Sequence, residues 1–420
     1  MLSRKWIIFI LTAIFYFVAY FHRISITIIA EDLMRDFLAT ATSIGLFSSL
    51  YFITYGVMQI PSGLLIDKFG SRKSLVVFCL TASVGTLIFA IAQDLVIAML
   101  GRALVGLGVS IAFICATKLI ASWFDVKSFA SLIGILVSIG NSAALIGSAP
   151  FALLVTGIGW RTSFLLIAGG TLLLTIFLWI WVRDKPKGMY NPKSSPPSSS
   201  KNFKMNAESP YSGMWSAFKN RDFWLVAFPP MFFVGSFFCF QGLWGVPYLM
   251  QVHGLNKIES SIMIMMIGLG FFLGAPFWGF VSDKLNTTRK RIFVTGVIFY
   301  TFIWFVLISP VIGELTSYFP IILFLMGFFF GVMPLSIVMI TELFPLRMIG
   351  AVTGSANTFP FIGIALFQIM FGYLLDRFGL IGVVDGIRIF SESSYQLGLT
   401  FCFISLIFAT LIAIFIRESE

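Results

Sequence analysis

The chain alternates long apolar stretches with short polar or turn-rich breaks along its whole length. A helix needs about 20 mostly apolar residues to cross the hydrocarbon core of a bilayer. Twelve stretches approach or exceed that length: 6–30, 43–65, 74–92, 96–121, 129–152, 163–182, 223–250, 260–281, 292–312, 318–340, 349–374 and 395–416. None shows the roughly ten-residue segments of strict alternation that are typical of a transmembrane barrel. The pattern therefore predicts an all-α membrane protein with twelve transmembrane helices.

A polar segment divides these helices into two groups of six. Residues 183–222 are rich in Pro, Ser and Lys and include the run Asn-Pro-Lys-Ser-Ser-Pro-Pro-Ser-Ser-Ser. Such a composition cannot bury enough apolar surface to build a core, so we interpret the segment as a flexible cytoplasmic linker. The predicted domains are an N-terminal six-helix bundle at 1–182 and a C-terminal six-helix bundle at 223–420.

Composition agrees with this interpretation and excludes a soluble enzyme. Of the 420 residues, 58% are hydrophobic and 11% are charged, whereas a soluble domain has roughly 45–50% and about 25%. The net charge of +10 does not indicate nucleic-acid binding, because the basic residues are not gathered on one soluble face. Instead, 20 of the 28 Lys and Arg residues lie on one side of the predicted membrane and five on the other. The positive-inside rule then places both termini in the cytoplasm, with the protein in the inner membrane.

The two halves repeat two sequence landmarks at nearly one offset. Asp67 follows the second predicted helix in a Gly-x-x-x-Asp-Lys run, and Asp283 follows the eighth in the same run, 216 residues later. Phe124 lies between the fourth and fifth helices, and Phe344 lies between the tenth and eleventh, 220 residues later. A duplicated six-helix unit explains both offsets, and many secondary transporters are built from such repeats.

Three motifs are similar to those of one known family. Residues 63–73, Gly-Leu-Leu-Ile-Asp-Lys-Phe-Gly-Ser-Arg-Lys, resemble the signature loop G-x-L-x-D-R-x-G-R-K of the major facilitator superfamily, and residues 279–291 resemble its second copy. Arg102-x-x-x-Gly106-x-Gly108 resembles its fourth-helix signature. Residues 23–37 are similar to the anion:cation symporter group, whose first helix commonly carries Asp-Arg where this chain has His22 and Arg23. The resemblance implies two pseudo-symmetric bundles, alternating access and a cavity lined by helices 1, 4, 7 and 10.

Three cations are predicted within the membrane, where an isolated charge costs several kcal/mol and must pair or face water. The planar fork of Arg23 suits a carboxylate or phosphate, so we expect an anion site there, although snorkelling to the outer interface would also explain it. Lys118 is either a second substrate-binding cation or a snorkelling residue at the inner interface. Arg102 either has a structural role, in which it bonds to backbone carbonyls of helix 1 or 2, or acts in a proton relay. The resemblance allows both roles.

Uncharged polar and aromatic side chains complete the predicted binding site, although buried amides usually bond to neighbouring helices. These further substrate-binding candidates are Tyr20, Gln241, Trp244, Tyr248, Asn357 and Gln368. For proton coupling the first candidate is His22, which titrates near neutral pH and is held neutral by Arg23 until an anion arrives. An interfacial histidine without function is the alternative; Glu31 and Asp32 are the reserve candidates, and passive exchange stays open.

The two repeated loops are predicted to gate the transporter. An acid beside a helix terminus and a neighbouring arginine can hold the halves closed on the cytoplasmic side, and glycines permit their close approach. The alternative is a basic turn that only fixes membrane topology. The predicted gating residues, with the fourth-helix motif, are Gly63, Asp67, Lys68, Gly70, Arg72, Lys73, Arg102, Gly106, Gly279, Asp283 and Arg289.

The sequence contains no P-loop, metal-ligand or nucleophile–base constellation, so we expect no cofactor, no metal and no enzymatic activity. All 18 acids lie at or beyond predicted helix ends, which disfavours export of cationic drugs. The expected function is uptake of a small organic anion or zwitterion, such as a carboxylate, amino acid or sugar acid, together with protons and by a monomer. The alternatives are efflux of hydrophobic or siderophore-like compounds and a non-transporting sensor on the same fold.

Overall fold

The computed structural model describes residues 4–185, 217–284, 288–309, 316–344 and 348–416. Most of the linker predicted at 183–222 therefore lies outside the described residues. The described chain has ten helices that are long and apolar enough to cross a membrane, and two bent helix pairs bring the number to twelve. The prediction of an all-α membrane protein with twelve spans is confirmed.

We number the spans α1 to α12 in chain order. The N-terminal half contains α1 Arg4–Phe37, α2 Ala41–Val57 with its continuation Gln59–Phe69, α3 Ser71–Ile91, α4 Leu95–Trp123, α5 Val126–Ile146 with its continuation Ala149–Ile158, and α6 Trp160–Trp181. The C-terminal half contains α7 Arg221–His253, α8 Lys257–Lys284, α9 Arg289–Ile308, α10 Phe319–Leu343, α11 Ile349–Phe378 and α12 Glu392–Ile414.

Successive spans run in opposite directions, so the connections collect at two ends of the molecule. We call the end that holds the start of α1, the junction of α6 with the linker and the end of α12 the terminal end. The opposite end holds a small β-hairpin between α11 and α12, and we call it the hairpin end.

The hairpin consists of strands β1 Leu380–Val384 and β2 Ile387–Phe390, which pair antiparallel. Its turn places Asp385 and Gly386 at φ angles of 49° and 79°, the left-handed conformation that a two-residue type I′ turn requires at both positions. A Cβ atom on Gly386 would lie 3.1 Å from the side chain of Arg35 in α1. The hairpin therefore extends from the C-terminal half onto the N-terminal half, a contact that the hydrophobic pattern of the sequence does not predict.

The two halves also meet along α2 and α11, where glycine allows the backbones to touch. A Cβ atom on Gly45 of α2 would lie 2.5 Å from the carbonyl oxygen of Gln368 in α11. A Cβ atom on Gly372 of α11 would lie 2.5 Å from the carbonyl oxygen of Ala41 in α2. Real side chains do not fit at such distances, so these glycines set how closely the halves approach towards the hairpin end.

Candidate functional site

A cavity of about 200 Å³ lies between the two halves. From α1 it is lined by Tyr20 and Arg23, and the rest of its wall comes from α7, α8, α10 and α11. The sequence-predicted residue Asn357 also lies in this wall. The larger apolar side chains of the wall, which sequence reasoning did not single out, include Phe238, Phe271, Phe330, Met333 and Phe361.

Among the described residues that line this cavity, Arg23 is the one that carries a charge. It is 7% exposed, and its guanidinium carbon lies 4.3 Å from the ring centroid of Tyr20 and 4.7 Å from that of Tyr55. Among the described residues it forms no salt bridge with a carboxylate, and its buried Nε atom has no hydrogen-bond partner. Aromatic faces stabilise the cation without neutralising it, and they leave its Nε–H group without a partner. The site can therefore accept an anionic group.

A local irregularity of α7 holds this part of α1 in place. Residues Phe240–Trp244 form a π-helical turn, and Pro247 has no N–H group to donate to the carbonyl of Leu243. The hydroxyl of Thr27 in α1 donates to that free carbonyl oxygen at 3.0 Å. It also accepts from the backbone N–H of Val246 at 3.3 Å. These bonds fix α1, one turn beyond Arg23, against the opposite half of the molecule.

Polar side chains join the halves at the hairpin end. The Nζ atom of Lys257 donates to the carboxylate of Asp32, and both side chains are mostly buried. The Nε2 atom of Gln251 donates to Glu31 Oε1 at 2.8 Å and to the carbonyl oxygen of Arg388 in the hairpin at 3.1 Å. Glu31 and Asp32, the reserve candidates for proton coupling, therefore lie in the contact that closes this end.

A third contact at the hairpin end caps α2 from the opposite half. Asp376 of α11 accepts from the backbone N–H groups of Ala41 and Thr42 at 3.0 and 2.8 Å, and from the Thr42 hydroxyl at 2.6 Å. A carboxylate at a helix N-terminus satisfies free N–H groups and interacts favourably with the helix dipole. Asp376 therefore stabilises the state in which this end is closed.

Asp376→Asn is expected to weaken the closure of the hairpin end. The amide is neutral and offers one acceptor oxygen in place of two, and loss of a cap costs about 1 kcal/mol, which is a roughly fivefold change in population. Hydrogen exchange of the backbone amides of residues 41–43 should be faster in the variant. Asp385→Asn is the matched control, because asparagine also adopts the left-handed turn conformation. Equal exchange rates in Asp376→Asn and the wild-type protein would contradict a capping role.

At the terminal end, several glycines of the two halves stand clear of other residues. Cβ atoms built on Gly63, Gly134, Gly279 and Gly354 meet no heavy atom within 4 Å. The predicted gating residues there pair inside their own halves: Lys118 of α4 forms a salt bridge with Asp67, and Arg289 of α9 with Glu342 of α10. The hydrogen bonds described here between the halves therefore lie mainly towards the hairpin end, and the longer bond from Asn357 to Gln59 lies nearer the terminal end.

The signature loop forms a tight turn between α2 and α3. Gly70 has a φ angle of 82°, which favours glycine, and the backbone N–H of Arg72 donates to Asp184 Oδ1 at 2.8 Å. The Nη2 atom of Arg72 donates to the carbonyl oxygen of Trp179 at 2.6 Å. Lys68 lies over the ring of the neighbouring Phe69 at 5.3 Å. Lys73 and Asp283 are exposed. None of the gating residues described here bonds to the opposite half in this conformation, and their gating role stays a prediction.

Arg102 lies inside the N-terminal half, with 1% of its surface exposed. Its Nη2 atom donates to the carbonyl oxygen of His22 at 2.7 Å, and its guanidinium lies 4.5 Å from the ring centroid of Tyr51. Gly106, one turn further along α4, packs directly on the backbone of Tyr51. The bond to a backbone carbonyl of α1 is the arrangement expected of a structural arginine.

The remaining candidates do not line the cavity. His22 is 1% exposed, and its Nε2 atom lies 3.4 Å from the Thr86 hydroxyl within the N-terminal half. Lys118 lies beside Asp67 towards the terminal end. Four candidates of the C-terminal half are buried and do not line the cavity: Gln241, Trp244, Tyr248 and Gln368. Two of these residues connect α7 to α11: the indole of Trp244 in α7 donates to the backbone carbonyl oxygen of Gln368 in α11 at 3.1 Å.

Comparison with known families decides the family to which the chain belongs. A family model described as the Major Facilitator Superfamily matches residues 8–367. The chain belongs to the Major Facilitator Superfamily. Membership in this superfamily confirms the prediction made from the three motifs. It also agrees with the prediction that the chain is a membrane transporter and not an enzyme.

Individual members of the Major Facilitator Superfamily are similar over most of the chain. A probable sulfoacetate transporter, SauU of Cupriavidus necator, is 24% identical, and the alignment covers 87% of this chain and 86% of that protein. The membrane sensor protein UhpC of Escherichia coli is 24% identical over 84% of this chain and 81% of that protein. A bacterial homologue of the human lysosomal transporter Spinster, solved in an inward-facing and unoccupied conformation, has a TM-score of 0.73 and 17% identity, with 98% of this chain and 97% of that chain covered.

Proposed function

We propose that this protein is a secondary active transporter that carries a small organic anion by alternating access, with the anionic group held by Arg23. The observation that supports the proposal is the buried guanidinium of Arg23, which lines the cavity between the halves without a carboxylate partner among the described residues. A permanent charge kept from water without a partner is costly. An anionic substrate would supply the missing partner each time it binds.

The charge of the cavity favours an anion over a zwitterion. Its described lining contains one arginine and no Asp or Glu, so the ammonium group of an amino acid would have no carboxylate to pair with. A guanidinium can donate two parallel hydrogen bonds to a carboxylate or sulfonate, which orients the substrate as well as binding it. The related sulfoacetate transporter agrees with an anionic cargo.

The distribution of basic residues supports a cytoplasmic location for the terminal end. We propose that the protein acts as a monomer in the inner membrane. The described conformation then faces inward, with the outward path closed at the hairpin end. Uptake would require that the hairpin-end contacts separate and that the signature loops bring the terminal end together. In that step Asp67 would leave Lys118 for a new partner, and Arg289 would leave Glu342.

Proton coupling would use the carboxylate of Glu31. Its bond to Gln251 crosses between the halves at the closed hairpin end, whereas His22 bonds within one half. Protonation removes the charge that this hydrogen bond stabilises, so it links proton binding to the opening of the hairpin end.

Glu31→Gln is therefore expected to abolish proton-driven accumulation, because glutamine cannot titrate, while exchange of labelled for unlabelled anion continues. Both rates are measured in proteoliposomes. His22→Asn is the comparison variant and should retain accumulation. The opposite outcome, with accumulation lost in His22→Asn and kept in Glu31→Gln, would return the coupling role to the histidine.

Uptake of labelled anions by proteoliposomes tests the proposed function and its alternatives. Sulfoacetate, glucuronate and benzenesulfonate are suitable probes because their acidic groups stay ionised at neutral pH and cross lipid slowly. Saturable uptake that increases with an inward proton gradient is expected. Binding without uptake would instead favour a sensor, and the related UhpC is a membrane sensor protein. If the anion instead moved only out of the vesicles while protons moved in, the protein would be an exporter.

A further inference from the structure

Beyond Arg23, the wall of the cavity offers few hydrogen-bonding groups. The other polar side chains of the described lining are Tyr20, Ser336 and Asn357. The hydroxyl of Ser336 already donates to the carbonyl oxygen of Met333 at 2.7 Å. The Nδ2 atom of Asn357 donates to Gln59 of the other half at 3.4 Å. The protein therefore uses the Ser336 hydroxyl proton and one N–H of Asn357, and Asn357 keeps its other N–H and its oxygen for a ligand.

Aromatic side chains occupy much of the remaining wall. Phe361 begins this surface beside the cation, with its ring centroid 5.7 Å from the guanidinium carbon of Arg23. Phe271 and Phe330 continue it with ring centroids 5.4 Å apart, and Phe238 and Met333 lie in the same wall. Apolar area removed from water stabilises a complex by roughly 25 cal/mol per Å². The wall therefore favours binding of a substrate with an apolar body.

The same wall disfavours substrates that carry many polar groups. A hydroxyl that leaves water without a new hydrogen bond costs about 1–3 kcal/mol, and a sugar acid brings several of them. A second acidic group on the substrate would lose its hydration without gaining a cationic partner, because Arg23 is the one charged residue of the described lining. The volume of about 200 Å³ is below the roughly 300–1,000 Å³ of pockets for drug-sized ligands, which favours a small substrate body.

We infer that the preferred substrate is a small monoanion with an aromatic or aliphatic body, held by Arg23 at its charged end and by the phenylalanine wall at the other. This inference rests on the proposed function and names the substrate class of the same cavity. It differs from the sugar acids that were among our expectations from sequence, and from dianions such as sulfoacetate.

Titration calorimetry on the purified full-length protein in detergent tests the inference with three probes. Benzenesulfonate is an apolar monoanion, glucuronate is a hydroxylated monoanion, and 4-sulfobenzoate adds one carboxylate to the first probe. We expect benzenesulfonate to bind at least tenfold more tightly than either of the others. Equal or tighter binding of glucuronate or 4-sulfobenzoate, lost in Arg23→Gln, would overturn the inference and leave the anion site intact. Binding of the probes that is unchanged in Arg23→Gln would overturn the proposed function itself.

Met333→Gln tests the wall directly because it exchanges a thioether for an amide of similar length. Benzenesulfonate should bind roughly tenfold more weakly, and its advantage over glucuronate should shrink. Met339→Gln is the matched control, since Met339 is also buried in α10 but does not line the cavity; it should change both affinities less than twofold. An unchanged affinity ratio in Met333→Gln, or the same loss in both variants, would contradict an apolar recognition surface.

Discussion

Arg23→Gln is expected to reduce the affinity for benzenesulfonate by at least about a hundredfold. Hydrogen bonds to a charged group contribute about 1.5–3 kcal/mol each, a guanidinium can donate two of them, and each 1.4 kcal/mol is a factor of ten. Glutamine keeps a polar side chain of moderate length but offers no charge. Titration calorimetry measures the change, and a thermal melt shows whether the variant remains folded.

Lys118→Gln provides the contrast, because it removes another cation of the same half. Lys118 pairs with Asp67 near the terminal end and does not line the cavity. We expect its loss to change the affinity less than twofold. A large loss in Lys118→Gln with little change in Arg23→Gln would move the anion site away from the cavity.

Gly45→Leu is expected to reduce transport at least tenfold by preventing the hairpin end from closing. The α2 and α11 backbones touch at this glycine, and a leucine there would force them apart. Overpacking of a tight contact costs about 1–3 kcal/mol, which is enough to reverse a finely balanced conformational equilibrium. The loss should appear as a changed conformation rather than as unfolding, because the contact joins the two halves and not one bundle.

Distances between spin labels at Gln93 and Ser393 measure that change. Both residues are exposed at the hairpin end, one in each half, and the four native cysteines are buried. The distance should increase in Gly45→Leu. Gly170→Leu is the matched control, because a Cβ atom on this exposed glycine of α6 meets nothing within 4 Å. An unchanged distance together with full transport in Gly45→Leu would show that this contact does not set the closed state.

Much of the fold follows from the sequence because the bilayer restricts what a chain can do. Apolar runs of about 20 residues must be helices, so the spans could be predicted with errors mainly at their ends. α1 continues to Phe37, beyond the predicted limit of 30, because Glu31 and Asp32 find partners in the other half and can stay within the helix.

The hairpin was missed although the sequence carries its signal. Asp385-Gly386 between short β-branched runs is typical of a two-residue hairpin turn, but the segment lies between two strongly apolar helices and reads as a loop when only membrane spans are sought. Its contact with Arg35 depends on how the halves meet, which no local pattern encodes.

The candidate site was predictable only in part for a related reason. A cation within an apolar helix is conspicuous, so Arg23 could be selected with its neighbour Tyr20. The four phenylalanines of the wall could not be separated from the other 45 of the 49 in the chain, because lipid-facing, core and cavity positions are all apolar in a membrane protein. Gln241 and Gln368 showed the opposite error, because their polarity suggested a ligand. The structure buries Gln241 away from the cavity lining, and the amide of Gln368 in α11 donates to the Phe238 carbonyl oxygen of α7.

The position of a bound anion tests the central claim most directly. A structure of the protein with 4-bromobenzenesulfonate would locate the sulfonate and, through the strong scattering of bromine, the opposite end of the ring. We predict the sulfonate within hydrogen-bond distance of the Arg23 guanidinium and the bromine against the wall that contains Phe271 and Met333. An anion bound at Lys118, or outside the cavity altogether, would contradict the assignment of Arg23 as the substrate-binding cation.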